Sequence, residues 1–367
     1  MICVRRTQGL SGIPDRRNLS TLSTARVVFD LLRDDLAAIE QELGRDGGSG
    51  LSTVTEIAEY LRGSSGQRIR PSLLLLSARL LGYTGQSAIR LGVVVEMAHA
   101  ATLVHNDIVD GAGARRGKPA ANTTWGTDKC VLAGDWIYTQ AFKIALEERS
   151  LRVFDLLIGM TQQMVEGELL QIQERGKAIA EAEYFTLIDC KTASAFAAAT
   201  QMGAALAGVS EAQEASLKAF GRSVGMAFKI VDDVLDLMAT QEVGGPPVAS
   251  DLREGKATLA VIHAVGHGSA SDRQAIQQVL DDRSFEHVSP EEVQAILVRN
   301  GSVEYAMAAA HRYAAQSRQT IAPFADSEFK RVLLSIPDFL VARGEAFTGR
   351  ADASANLHGC EINTVFG

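Results

Sequence analysis

The sequence predicts an all-α protein, a single large helical bundle. Three observations carry this. Apolar residues recur at helical spacing along most of the 367 residues, only 8 prolines interrupt them, and no Asn-Gly or Asp-Gly hairpin turn sits between alternating runs. Several predicted helices are apolar nearly all round, so other helices must bury them, and a bundle with one layer wrapped by another does so. No Pro- or Ser-rich linker divides the middle and no repeat recurs at a fixed period. One domain is therefore expected over residues 25–344. An N-terminal extension, 1–24, precedes it, and a loose C-terminal tail, 345–367, follows where the periodicity fades.

The first helix, Ala25 to Leu43, places Val28, Leu31, Leu32, Leu36, Ile39 and Leu43 on one face and stops at a Gly-Gly-Ser-Gly breaker. Ser72 to Leu81 is apolar and ends at Gly82-Tyr83-Thr84-Gly85. Ser87 to Val109 is one long apolar helix, interrupted by nothing stronger than Gly92. Leu132–Glu148, Arg152–Gln173, Ala182–Leu206 and Glu211–Ala239 follow as long helices. Ala257–Val265, Pro290–Arg299, Val303–Ser317 and Asp326–Ala342 complete the set.

Composition narrows the function. A formal charge of −8 argues against sequence-independent nucleic-acid binding, which needs a basic face. It permits anionic substrates if basic residues cluster locally or metal ions intervene. Cys3, Cys130, Cys190 and Cys360 are widely spaced without a CxxC pair, so neither a zinc site nor a disulfide framework is indicated, and a reducing compartment fits. The longest uninterrupted apolar runs fall well short of the roughly 20 residues of a membrane span. A cytoplasmic protein is expected, although Arg5, Arg6, Arg16, Arg17 and Arg26 give the first residues a faint likeness to a transit peptide.

Two acidic clusters lie inside apolar helices: His105-Asn106-Asp107-Ile108-Val109-Asp110 and Asp232-Asp233-Val234-Leu235-Asp236. Spacings of i,i+3 and i,i+4 put Asp107 with Asp110, and Asp232 with Asp236, on one helix face. Either cluster alone reads equally well as a solvated acidic face. Two of them against apolar walls repel within themselves and call for a cation, and all-oxygen ligands suit Mg²⁺. Four basic segments frame them: Ser65–Pro71, Arg115-Arg116-Gly117, Lys191-Thr192 and Asp251–Thr258. Carboxylate faces for metal beside cationic loops describe a site for diphosphate groups. No Ser, His and Asp arrangement points to nucleophilic catalysis. His105 is read as hydrogen-bonding locally, and the Trp and Met residues as core.

With these segments in view, the chain resembles the trans-polyprenyl diphosphate synthases, all-α isoprenoid synthases with two Asp-rich motifs. The resemblance spans about Ala25 to Arg343. It rests on GQRIRP, EMAHAATLVHNDIVDGAGARRGKP, VLAGDWI, EGELLQI, KTASAFAA, GMAFKIVDDVLDL and DLREGKATL, in the family's order and spacing. It implies a bundle around a central cavity, usually a homodimer, with a heterodimer open. The implied reaction is condensation of isopentenyl diphosphate with an allylic diphosphate to a polyprenyl diphosphate of medium or long chain. The implied cofactor is Mg²⁺, about three ions per active site.

By position, the resemblance gives Asp110, Asp232 and Asp236 to metal. Lys191, Lys256 and Arg115 would grip the allylic diphosphate. Arg70, His99 and Arg116 would hold isopentenyl diphosphate, and Thr192 would face the developing cation. The growing tail would start beneath the first motif. Ala101 and Thr102 there are small, with Met97 and Ala98 one turn (about 5.4 Å) further down and Met97 a partial floor. This implies a product longer than geranylgeranyl diphosphate.

Four positions depart from the family. Asn106 stands where an Asp is usual, Gln67 where a Lys helps bind isopentenyl diphosphate, Lys229 for a Gln, and Pro246 for a Lys. The four cancel in formal charge. Asp107 is a substitute metal ligand for Asn106, and Lys229 either a substitute diphosphate ligand or an i,i+3 partner of Asp232. Three readings stay open: an elongating prenyltransferase; a terpene cyclase-like enzyme, over which Arg70, His99 and Arg116 favour the first; and a catalytically weak regulatory partner subunit, which Asn106 and Gln67 favour.

Overall fold

Helix dominates a computed structural model of the chain, which describes residues 16–46, 50–64, 68–115, 118–239 and 248–348. The elements are α1 (Arg16–Asp46), α2 (Ser52–Ser64), α3 (Ile69–Leu80), α4 (Ser87–Val109), α5 (Ala121–Trp125), α6 (Thr127–Glu147), α7 (Leu151–Gln173), α8 (Glu181–Ile188) and α9 (Ser194–Leu206). Then come α10 (Glu211–Met238), α11 (Ser250–Arg253), α12 (Leu259–His267), α13 (Ala270–Asp282), α14 (Pro290–Arg299), α15 (Ser302–Ile321) and α16 (Glu328–Thr348). A two-residue antiparallel pair, β1 (Ala114–Arg115) with β2 (Lys118–Pro119), closes the loop after α4.

Several boundaries move from those expected. α1 begins at Arg16 rather than Ala25, and α16 runs to Thr348 rather than Ala342. The single helix expected over Ala182–Leu206 is α8 and α9 joined by a π-helical turn, Asp189–Ala193. α2 and α13 add to the expected set. α2 carries Ile57 and Leu61 at helical spacing, both buried, and α13 opens on a Ser269 cap and buries Ile276, Val279 and Leu280.

Two apolar cores build the bundle. One gathers α1 to α7, α9, α16 and the first half of α10; the other gathers α8, the second half of α10 and α11 to α15. α4, the helix apolar all round, is long and apolar enough to cross a bilayer, but 67% of its apolar window is buried, with α3 and α6 among its neighbours. α9, rich in Ala, is buried from Ser194 to Ala204, and small residues let its neighbours approach its backbone. A Cβ on Gly221 of α10 would fall 2.4 Å from the Phe196 carbonyl oxygen and 2.3 Å from Thr200 Oγ1. That Thr200 hydroxyl donates across the seam to the Leu217 carbonyl at 2.7 Å.

This close approach generates the first prediction. Gly221→Ala overpacks the α9–α10 seam and should cost about 1–3 kcal/mol. The urea midpoint falls while the slope of the transition stays unchanged; an unchanged midpoint would show that the seam relaxes freely.

Candidate active site

Where the two cores meet, a cavity of about 330 Å³ opens between α3, α4, α7, α8, the π turn, α10 and α11. α4 presents Glu96, His99, Thr102, Leu103, Asn106 and Asp110 to it, a stripe at three- and four-residue spacing. Asp107 follows Asn106 by one residue, a turn of about 100°. It does not line the cavity and is 1% exposed. Burial pushes the Cys130 thiol on α6 upward, and the charge of Asp107 adds to that. The substitution of Asp107 for Asn106 as a metal ligand therefore has no support in this rotamer and register.

Asp110 sits at the centre of a cationic group. Lys256 Nζ lies 2.9 Å from its Oδ2, and the Arg175 guanidinium pairs with Oδ1. Burial opposes the charge on Lys256, but Asp251, Asp110 and Glu254 outweigh it and hold the ammonium above the usual lysine range. The π turn carries Lys191 and Thr192 into the cavity. π turns of this kind recur at functional sites because the extra residue re-aims its side chains. α7 passes so close that a Cβ on Gly167 would meet Lys191 N at 2.7 Å. Lys191 Nζ lies 2.8 Å from Glu168 Oε2, yet burial still lowers its pKa.

On the facing wall, α10 contributes Phe228, Lys229, Asp232 and Asp233. Lys229 Nζ stands 2.5 Å from Asp233 Oδ1, 3.3 Å from Asp251 Oδ2 and 3.6 Å from Asp232 Oδ2. The Tyr184 hydroxyl donates to Asp233 Oδ2 at 2.7 Å. Burial raises the Asp233 carboxyl to about 7, against the pull of Lys229. Burial would also raise Asp251, but the charges of Lys229, Lys256 and Lys191 hold it well below the carboxylate range.

Asp236, expected beside Asp232 as a metal ligand, does not line the cavity. It accepts from Ser250 N at 3.1 Å, Ser250 Oγ at 2.6 Å and Asp251 N at 3.0 Å, capping the first turn of α11. Burial and the neighbouring Asp251 charge raise it to about 6. Its carboxylate thereby fixes Asp251, which takes the cavity position that sequence reasoning gave to Asp236. The signal for Asp251 was its place five residues before Lys256 in a loop already read as substrate-binding.

Arg70 and His99 share the end of the cavity nearest α3, with the Arg70 guanidinium 5.2 Å above the Phe196 ring. Arg68, passed over in the sequence, also lines it. Its guanidinium pairs with Glu96 at 2.6 Å and with Glu40, and its backbone takes a left-handed φ of 52°. Arg115 lies on β1. Gln67, Arg116 and Pro246 lie outside the described residues. Of the four positions assigned to the tail, Thr102 lines the cavity, its hydroxyl sharing a 2.6 Å hydrogen bond with that of Tyr138. Ala98 and Ala101 are fully buried away from it, and Met97 borders a separate void of about 40 Å³ with Leu61 and Ile137.

Among the described residues, no three His, Cys, Asp or Glu side chains form a ready-made metal cage. The donor set fits Mg²⁺ nonetheless, because that ion is held by one or two carboxylates plus substrate phosphates and waters. Asp110 on one wall and Asp232 and Asp251 on the other supply those carboxylates.

Comparisons with known proteins identify the family. The sequence model of the family described as polyprenyl synthetase matches residues 52–297. An octaprenyl diphosphate synthase of Haemophilus influenzae is 36% identical over 310 residues, 84% of this chain and 94% of that protein. A polyprenyl synthase of Caulobacter crescentus CB15, solved in complex with calcium and isoprenyl diphosphate, superposes with a TM-score of 0.83 at 30% identity, covering 87% of this chain and 97% of its own. A decaprenyl diphosphate synthase of Rhodobacter capsulatus gives 0.81 at 31% identity, covering 87% and 99%. On its sequence, its all-helical architecture and its cavity, the chain belongs to the polyprenyl synthetase family.

Proposed function

We propose that the chain is a trans-prenyltransferase that joins isopentenyl diphosphate to an allylic diphosphate and makes a polyprenyl diphosphate of medium or long chain. One observation carries the reading: carboxylates on opposite walls, Asp110 against Asp232 and Asp251, with Lys191, Lys229 and Lys256 among them, in one cavity that apolar side chains also line. Such a site receives a diphosphate at its charged rim and a hydrocarbon below.

The residues divide the work. Asp110, Asp232 and Asp251 would hold Mg²⁺, which when bound neutralises diphosphate charge. Lys191 and Lys256, with Arg115, offset the negative charge that grows on the diphosphate as its C–O bond breaks. Thr192 faces the allylic cation left behind. Leu103, Met164, Leu187, Ile188 and Phe228 line the interior with apolar surface and keep water from that cation. Arg70 and His99, with Gln67 and Arg116, orient isopentenyl diphosphate so that its double bond attacks. A proton then leaves to the released diphosphate.

A homodimer is part of the same reading. α7 exposes Leu151, Ile158, Val165 and Ile172 at seven-residue intervals, with Leu169 beside them and Leu132 and Leu146 exposed on α6. This stripe suits a second copy of the chain.

The defining experiment incubates the pure protein with Mg²⁺, isopentenyl diphosphate and farnesyl diphosphate and separates the dephosphorylated products by chromatography. Products longer than geranylgeraniol are expected, and none once EDTA is present; no elongation in either condition would overturn the reading. Thr102→Phe puts a ring into the cavity wall and should shorten the product by one or more units, since a packed wall leaves no volume for the tail. An unchanged length would place the tail on another path. Asn106→Asp adds a charged oxygen ligand to the same wall and should raise turnover about tenfold, equivalent to about 1.4 kcal/mol. A slower variant would mean that the site is built around the amide.

A further inference from the structure

The second acidic cluster contains a cation of its own. Lys229 precedes Asp232 and Asp233 by one helical turn on α10, and its Nζ lies within 3.6 Å of carboxylate oxygens from Asp232, Asp233 and Asp251. Two elements, α10 and α11, thus converge three carboxylates on one ammonium. The side chain is only 23% exposed, so the ammonium is held there rather than ranging into solvent.

Mg²⁺ takes carboxylate oxygens at about 2.1 Å. An ion bound to the same oxygen of Asp232 or Asp251 would therefore stand within about 6 Å of the Lys229 ammonium, a like charge at close range. The ammonium cancels part of the negative charge that would otherwise draw a dication. Without it the same carboxylates would take more. The opposite wall points the same way, since Asn106 lines it with an amide where a carboxylate would add another charged ligand.

We propose that Lys229 is a built-in substitute for one divalent ion, so that this chain binds its diphosphate ligand with one metal ion fewer than the carboxylate set would otherwise recruit. The inference rests on the reading of the cavity as a diphosphate site. Asp232 and Asp251 then serve a shared site in which one cation is covalent and the rest are exchangeable.

Equilibrium dialysis of the full chain against Mn²⁺, with inorganic pyrophosphate saturating on both sides, counts the ions held per chain without any turnover. The parent should hold about two, Lys229→Gln about three, and Lys229→Arg the parent's number. Lys229→Gln should also reach half-saturation at a several-fold lower Mn²⁺ concentration. Equal counts and equal half-saturation in parent and Lys229→Gln would overturn the inference. So would a parent that already holds three, which decides the matter even if the Gln variant does not fold. Failure of pyrophosphate to bind to the parent at saturating Mn²⁺ is a different outcome: it would remove the diphosphate reading and this inference together.

Discussion

Everything in this protein turns on keeping opposite charges together inside an apolar bundle. Asp110, Asp233, Asp251, Lys191, Lys229 and Lys256 are each largely withdrawn from water, and none would be tolerated there alone. Burial drives the Asp233 carboxyl toward neutrality and pulls Lys191 down, while mutual attraction holds Lys256 and Asp251 charged. The fold provides the means. Two apolar cores meet at one seam, and α4, α10 and the π turn each deliver charge to it from a helix otherwise wrapped in hydrocarbon. The result is a cavity lined by both ionic and apolar side chains, which is what an amphipathic substrate with a diphosphate head requires.

Much of this was legible in the sequence. The helical class followed from period and from the scarcity of proline, and the paired acidic clusters, the basic segments and the family's motifs located the cavity. What escaped had definite causes. The helix over Ala182–Leu206 looks continuous because a π turn breaks no periodicity that apolar alanines can report. β1 and β2 are too short to show alternation.

The site residues show the same limit more sharply. Spacing placed Asp232 and Asp236 on one face and was silent on what each meets. The chain returns at Ser250 to offer three donors to Asp236, a tertiary event that no window of sequence contains. Asp107 differs from Asn106 by one step of the helix, and that step decides between the cavity and the Cys130 side. Arg68 was hidden because its partners, Glu40 and Glu96, sit 28 residues away on either side.

The π turn has a wider consequence. Five residues, Asp189–Ala193, accommodate what is in effect one residue too many for an α-helix. Removing a single residue from this stretch would let the backbone heal into unbroken α-helix, and because the wide turn is what absorbs the extra residue, α8 and α9 would stay in register. Lys191 and Thr192 would lose the turn that carries them into the cavity, while α9 kept its packing against α3 and α10. The extra residue thus serves the chemistry rather than the helix packing, and a one-residue deletion here would cost the site before it cost the fold.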